Sequence, residues 1–323
     1  MTYYLFSDAL IGDIELMKDC VLKVNQVTKS YRGNKILDNI SMTIQKGQVY
    51  GLVGLNGAGK STLIKIITGL VMPDSGSLEL FGDHEKDKIE ANRRRMGVVV
   101  ETVALYDNKT VYENMNLSRI QKGIPGEDSI DKFLNVVGLT ELKYKKVKKL
   151  SLGSKQSLGI AMALLGEPEF LILDEPINGL DPIKIIEIRD LLIKLNVEYG
   201  VTMIISSHIL SELYHVANHY GIIHKGKLIK QISLEELKEQ CKNYVHIKVG
   251  DTAKASVVIS EKLSTKNFEV LPNNIIKLYD YVDFTGKITE TLVNEGITVE
   301  QIMPMGDDLE SYFTRIVGGV RDA

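Results

Sequence analysis

The stretch Gly54-Leu55-Asn56-Gly57-Ala58-Gly59-Lys60-Ser61 follows the pattern G-x-x-x-x-G-K-S. That spacing describes a loop whose backbone N–H groups wrap the phosphates of a nucleotide. The glycines permit positive φ and bring the backbone close to phosphate oxygens. Lys60 would reach the β- and γ-phosphates, and the Ser61 hydroxyl would hold Mg²⁺. An apolar run, Val49 to Val53, leads into the loop, and Ser61-Thr62-Leu63-Ile64-Lys65-Ile66-Ile67 continues with helical character. A helix starting here adds free N–H donors and partial positive charge. Asn56, Gly57, Ala58, Gly59, Lys60, Ser61 and Thr62 are the candidate nucleotide-binding residues.

A second group carries the complementary chemistry. Phe170-Leu171-Ile172-Leu173-Asp174-Glu175 is an apolar strand ending in two carboxylates. A strand end beside a phosphate loop is where such a site places its Mg²⁺-associated acid. Asp174 fits that role, and Glu175 then stands where a general base or water-orienting group is needed. On its own, Asp-Glu after an apolar strand is equally the description of a solvated strand end. The phosphate loop decides between the two.

The elements that must position these residues alternate. Residues 21–30 and 36–44 alternate apolar and polar, as half-buried strands do. Residues 48–52 read as the buried strand entering the loop, 77–81 as a strand after the turn Pro73-Asp74-Ser75-Gly76, and 97–100 as a short buried strand. Residues 107–166 read as mostly helical. Runs at 170–173 and 203–206 have the compact apolar character of parallel strands. Between them Ile185, Ile188, Leu192 and Leu195 share one helix face. The pattern implies an α/β fold, a mainly parallel sheet covered on both faces, with an antiparallel start and an inserted helical block. Near residue 240 the composition shifts. The tail reads strand (243–249), helix (252–264), two short strands around Asn273-Asn274, helix (285–295), strand (297–303), helix (307–317), a βαββαβ order that suggests a small ferredoxin-like α+β domain.

Bulk properties narrow the classes. The 323 residues suffice for two domains. A formal net charge of −3 offers no overall basic field for nucleic acid, so none is expected as a partner. Cys20 and Cys241 form no C-x-x-C pair, which points to reduced thiols and a cytosolic setting. No apolar run reaches the ~18–20 residues that span a bilayer, so a membrane role needs another chain. Asp8, Asp13 and Glu15 interrupt the apolar residues of the N-terminus, which lacks the pattern of a secretory signal. Residues 1–16 read as a loosely attached extension, with Met17-Lys18 as a second start.

Taken with these motifs, the chain resembles the ATP-binding subunit of an ABC transporter. Leu150-Ser151-Leu152-Gly153-Ser154 sits where that family carries its signature loop. Asn178-Gly179-Leu180-Asp181 resembles the D-loop, His208 the switch histidine, and Tyr31 the aromatic that stacks on adenine. Six motifs agree in order and spacing over about 21–232. The resemblance implies a P-loop NTPase cassette over 21–235 with a helical subdomain at about 102–167, preceded by an extension (1–20) and followed by an accessory domain (240–323). It implies ATP and Mg²⁺, and a head-to-tail dimer, with an identical or different second cassette. In that dimer Ser151 and the Gly153 amide of one subunit face the γ-phosphate held by the other, Asp181 lies near it, and His208 senses it beside Glu175. It also implies a separate transmembrane permease and a place on the inner face of the cell membrane.

Two departures narrow the resemblance. Leu152 and Ser154 replace a glycine and a glutamine of the usual signature. Glu101 stands where a glutamine usually reaches the metal and the attacking water; a carboxylate can also ligand a hard cation, so Glu101 is a candidate Mg²⁺ residue. With the small C-terminal domain and the ending Leu309-Glu310-Ser311-Tyr312-Phe313, these features are similar to bacitracin-resistance and lantibiotic-immunity ATPases. Export of another substrate, such as an ion, drug or lipid, is the alternative. A soluble ATPase acting on DNA or ribosomes usually has two cassettes or long coiled coils, which this chain lacks. A nucleotide-gated module without hydrolysis is disfavoured by intact Lys60, Asp174, Glu175 and His208. Lys143, Lys145, Lys146, Lys148 and Lys149 read as a solvated helix face, the alternative being contact with an anionic membrane surface or nucleic acid. His84, His215, His219, His224 and His246 read as surface or packing residues, although His215 and His219 have helical metal-site spacing.

Overall fold

The computed structural model describes residues 20–100, 103–306 and 309–319, and the chain divides after Leu234 into two units. The first begins with an antiparallel hairpin, β1 (Cys20–Tyr31) and β2 (Asn34–Gln45). Arg32 and Gly33 turn it with φ of 49° and 84°, the positive values that a two-residue hairpin requires. The buried strand β3 (Val49–Val53) leads to helix α1 (Lys60–Ile67). Strand β4 (Ser75–Leu80) returns to pair with β1, giving a three-stranded sheet in the order β2-β1-β4. A short helix α2 (Lys86–Asn92) precedes β5 (Met96–Val99).

Three helices follow: α3 (Val111–Gln121), α4 (Asp128–Val136) and α5 (Leu152–Leu164). Thr110 and Glu113 close a capping box on α3, each satisfying a free N–H of the first turn. The lysine-rich stretch before α5 is not a helix face, as the sequence suggested. It is a turn ending in the 3-10 segment Val147–Lys149, and the Lys143 amine pairs with Asp131 at 2.5 Å.

The chain then supplies β6 (Phe170–Asp174), α6 (Pro182–Tyr199), β7 (Thr202–Ser207), α7 (Leu210–Tyr214), β8 (His219–His224) and β9 (Lys227–Ser233). Strands β8 and β9 were not anticipated from sequence. Helix α7 ends at Tyr214, so His215 and His219 share no helix face, contrary to their spacing. The main sheet has the order β5-β6-β7-β3-β8-β9, parallel except for β9. Strands β3, β6 and β7 are buried along their whole length, which explains the compact apolar runs at the heart of each. One core joins Val24, Leu37, Ile40 and Ile44 of the antiparallel sheet to Leu63, Ile64 and Ile67 of α1 and to Ile172 and Ile204 of the main sheet. Each such side chain contributes about 1.5–3 kcal/mol on burial. That core anchors the helix whose first residue is Lys60.

The second unit has its own core. After α8 (Leu234–Gln240) come β10 (Tyr244–Val249), α9 (Thr252–Lys262), β11 (Phe268–Leu271), β12 (Ile275–Leu278), α10 (Thr285–Asn294), β13 (Val299–Met305) and α11 (Leu309–Gly319). The antiparallel order β11-β12-β10-β13 is that of a ferredoxin-like sheet. Val245, Ile247 and Val249 of β10 are buried with Ile259, Ile276, Leu278, Ile288 and Leu292. The alternate residues Tyr244, His246 and Lys248 therefore lie on the opposite face of the sheet. No helix among the described residues is long and apolar enough to cross a membrane.

Candidate active site

Strand β7 lies between β3 and β6, so the C-terminal ends of these three neighbours open onto one edge of the sheet. That edge is where open α/β sheets bind ligands. The sheet order alone brings together the phosphate loop after Val53, the acid pair Asp174-Glu175 and His208.

Gly57 and Gly59 take φ of 80° and 113°, and Gly59 caps α1. The loop is tightly supported. A Cβ on Gly54 would stand 2.5 Å from the Ile223 carbonyl oxygen, and one on Gly59 would stand 2.7 Å from Leu37 Cδ2. Its support includes a turn that sequence reading missed. The Gly226 N–H, between β8 and β9, donates to the Ala58 carbonyl at 3.0 Å, and the Asp38 N–H donates to the Gly226 carbonyl at 2.8 Å. Gly226 has φ of 77°, and a Cβ there would collide with the backbone of Ile36. Gly226→Val is expected to cost about 1–3 kcal/mol from the backbone conformation alone and to weaken nucleotide binding. Thermal melts and equilibrium ATP binding check this; an unchanged melt together with an unchanged Kd would refute the supporting role.

Lys60 is buried, with its amine 2.6 Å from the Gly54 carbonyl oxygen and 3.2 Å from Glu175 Oε1. The other Glu175 oxygen lies 3.0 Å from His208 Nδ1 and accepts from the Asn178 amide at 3.1 Å. One carboxylate thus meets side chains from α1, the loop after β6 and the end of β7. Glu175 holds φ of 49°, a conformation that costs a non-glycine residue energy and clusters at functional sites. Ser206 sets this corner. Its hydroxyl accepts from the Glu175 N–H at 2.9 Å and donates to Asp174 Oδ1 at 2.5 Å. Neither Ser206 nor Asn178 was selected from sequence. The signal available was a serine one strand over from the acid pair, legible only once β6 and β7 are known to be neighbours.

Ser61, Asp174 and Glu175 line a groove of about 570 Å³, with Leu105, Leu152 and Asn178. Asp174 is 4% exposed. Its carboxylate and the Ser61 hydroxyl are hard oxygen donors of the kind Mg²⁺ takes. Among the described residues no cluster of three His, Cys, Asp or Glu side chains could hold a metal alone. A Mg²⁺ ion held mainly by substrate phosphates needs only one or two protein oxygens. Glu101 lies outside the described residues, as does the extension read at 1–16.

The other sequence-selected residues are dispersed. Ser151 caps α5, where its hydroxyl accepts from the Ser154 N–H at 3.2 Å and lies 3.0 Å from Ser154 Oγ. The unusual Ser154 is therefore a direct neighbour of Ser151. Gly153 packs beneath Lys184 so closely that any Cβ would collide with it. Leu152, the other departure, is 56% exposed. Asp181 caps α6 by accepting from the Lys184 N–H at 3.0 Å, with Pro182 at the first helical position. Tyr31 is 45% exposed at the β1–β2 turn, with the Lys29 amine 5.4 Å over its ring. Of these, Leu152 lines the groove beside Ser61 and Glu175, whereas Ser151, Gly153, Asp181 and Tyr31 make no recognised contact with Lys60, Glu175 or His208 within this chain.

Comparison with known proteins gives the arrangement a lineage. Residues 37–178 match the ABC transporter family model. The bacitracin transport ATP-binding protein BcrA of Bacillus licheniformis is 41% identical over 299 residues, covering 93% of this chain and 98% of the relative. The solved structure of cbiO1 from Clostridium perfringens, part of the cbiONQ ABC transporter complex, is 32% identical. It has a TM-score of 0.62 and covers 69% of this chain and 92% of its own. A dimeric cassette, MJ0796 in a post-hydrolysis state bound to ADP and Pi, is 26% identical with a TM-score of 0.60, covering 66% of this chain and 99% of its own. A relative this similar along nearly its whole length places the chain in a family: it belongs to the ATP-binding subunits of ABC transporters, the ATPases that drive transport.

Proposed function

We propose that this subunit powers a separate permease that moves peptide antibiotics of the bacitracin kind away from the cell. The observation that carries the substrate reading is the extent of likeness to the bacitracin transport protein. It runs beyond the cassette into the second unit, over 98% of the relative. The permease would hold the subunit at the inner face of the membrane and make the contacts with the antibiotic.

The residues have distinct roles in this reading. Backbone N–H groups from Asn56 to Thr62 bind phosphate oxygens at the start of α1. Lys60 neutralises phosphate charge from its buried position. Ser61 and Asp174 would hold Mg²⁺, which when bound offsets negative charge on the transferring phosphoryl group. Glu175 orients the attacking water and accepts its proton. His208, within hydrogen-bonding distance of Glu175, keeps that carboxylate aimed. Ser151, the Gly153 amide and Asp181 lie apart from this cluster. They act on the nucleotide of a second cassette in a head-to-tail pair, and Tyr31 stacks on adenine.

Co-expression with its permease in a sensitive bacterium tests the proposal. Bacitracin tolerance is expected to rise several-fold, and to return to baseline when the subunit carries Glu175→Gln. Unchanged tolerance, with ATPase activity measurable in the same membranes, would rule the substrate reading out.

A further inference from the structure

The His208 ring is aimed by its own main chain. Among the described residues Glu175 is the one hydrogen-bonding partner of the imidazole, with its carboxylate oxygen 3.0 Å from Nδ1. No side chain among them holds the other nitrogen, and the His208 side chain is 29% exposed. The direction of the ring therefore depends on the backbone at positions 207 and 209. One hydroxyl fixes both. Ser207 Oγ accepts from the Ile209 N–H at 3.0 Å and donates to Glu212 Oε2 at 2.5 Å.

The order of dependence follows from hydrogen-bond chemistry. A serine hydroxyl has one hydrogen, which rotates to suit its surroundings, and an ionised carboxylate can only accept. A bond from a hydroxyl to a carboxylate is roughly twice as strong as one between neutral groups. Glu212 therefore claims the Ser207 hydrogen and leaves an oxygen lone pair for the Ile209 N–H. Ser207 is 2% exposed, so water is a poor replacement for a lost partner. Glu212 lies in α7, about one turn beyond His208. Its carboxylate fastens that helix back onto the end of β7, and His208 is the residue enclosed between them. The start of the phosphate loop is secured separately. Val53 of β3 pairs with Ser207 of β7, and the Gly54 N–H donates to the Ser207 carbonyl at 3.2 Å. Those contacts are main chain to main chain and do not need the side chain at position 212.

We propose that Glu212 is a positioning residue for ATP hydrolysis, acting through the Ser207 hydroxyl to hold His208 against Glu175. The inference rests on the role given to His208 in the proposed function. ATPase kinetics and equilibrium ATP binding of the full chain provide the test, with Glu212→Ala, Glu212→Gln, Ser207→Ala, the Glu212→Ala and Ser207→Ala pair, and His208→Ala as variants. Glu212→Ala is expected to lower kcat about ten- to a hundredfold, the scale of a slight misplacement of a catalytic group, with KM and ATP affinity unchanged. Glu212→Gln retains an oxygen that can accept from Ser207 and should restore most of the rate. Ser207→Ala should match Glu212→Ala, and the pair should lose little more than either alone, because two residues acting through one contact are not additive. If Glu212→Ala fails to fold, Ser207→Ala against Glu212→Gln reads the same dependence. A residue that merely stabilises the fold would instead lower ATP affinity along with the melting temperature, and that result overturns the proposal. So does an unchanged kcat in Glu212→Ala where His208→Ala is impaired, an outcome that leaves the reading of His208 intact. Full turnover in His208→Ala would remove the role of His208 and this inference with it. The transport reading is measured apart from all of these, by bacitracin tolerance.

Discussion

Glu175→Gln is expected to stop ATP turnover while leaving ATP bound. The substitution keeps the size of the side chain and an oxygen that can accept from Asn178. It removes the negative charge that faces Lys60 at 3.2 Å and the basic oxygen beside His208. Loss of a positioned general base lowers rates by about 10²–10⁴-fold. The phosphate loop, Lys60, Ser61 and Asp174 are untouched, so ATP affinity should remain within a few-fold. On the proposed head-to-tail pairing, paired cassettes should then accumulate, because hydrolysis would be what separates them. Phosphate release and size-exclusion chromatography in ATP read the two effects. Turnover within tenfold of the unaltered protein would remove Glu175 from its assigned role.

Lys60→Ala should do more damage, because it strikes binding and turnover together. The Lys60 side chain is 5% exposed and its amine is held against the loop by the Gly54 carbonyl. A charge-assisted contact of this kind is worth about 1.5–3 kcal/mol, and each 1.4 kcal/mol is roughly tenfold in affinity. ATP should bind about ten- to a hundredfold more weakly, and hydrolysis should fall to background. Substitution also strands Glu175 without its cation, so some loss of thermal stability is expected. Undiminished phosphate release would overturn the assignment of the site.

The sequence made the frame of this site legible because its signals are local. A glycine pattern with a lysine needs only its own backbone, and the strands buried on both faces carry compact apolar runs, Phe170–Leu173 and Met203–Ile205, that stand out in the sequence. The βαββαβ order of the tail was readable for the same reason, helped by Asn273 and Asn274, which take φ of 65° and 59° in the turn. What escaped depends on neighbours distant in sequence. Strands β8 and β9 alternate weakly and end in histidine, lysine and serine. Gly226 matters only because its turn docks on Ala58, far earlier in the chain. Ser206 acquires meaning only when β6 and β7 lie side by side, and Asn178 only when the turn after β6 folds its amide back onto Glu175. The lysine-rich stretch misled because charge density says nothing about backbone path.

The Ser206 hydroxyl touches both acidic residues, one through its side chain and the other through its main chain. The two groups are thereby yoked. A shift of β7 would carry the Asp174 carboxylate and the Glu175 main chain together. In the proposed hydrolysis the alignment of the two acids would then depend in part on a hydroxymethyl group that itself handles neither phosphate nor water.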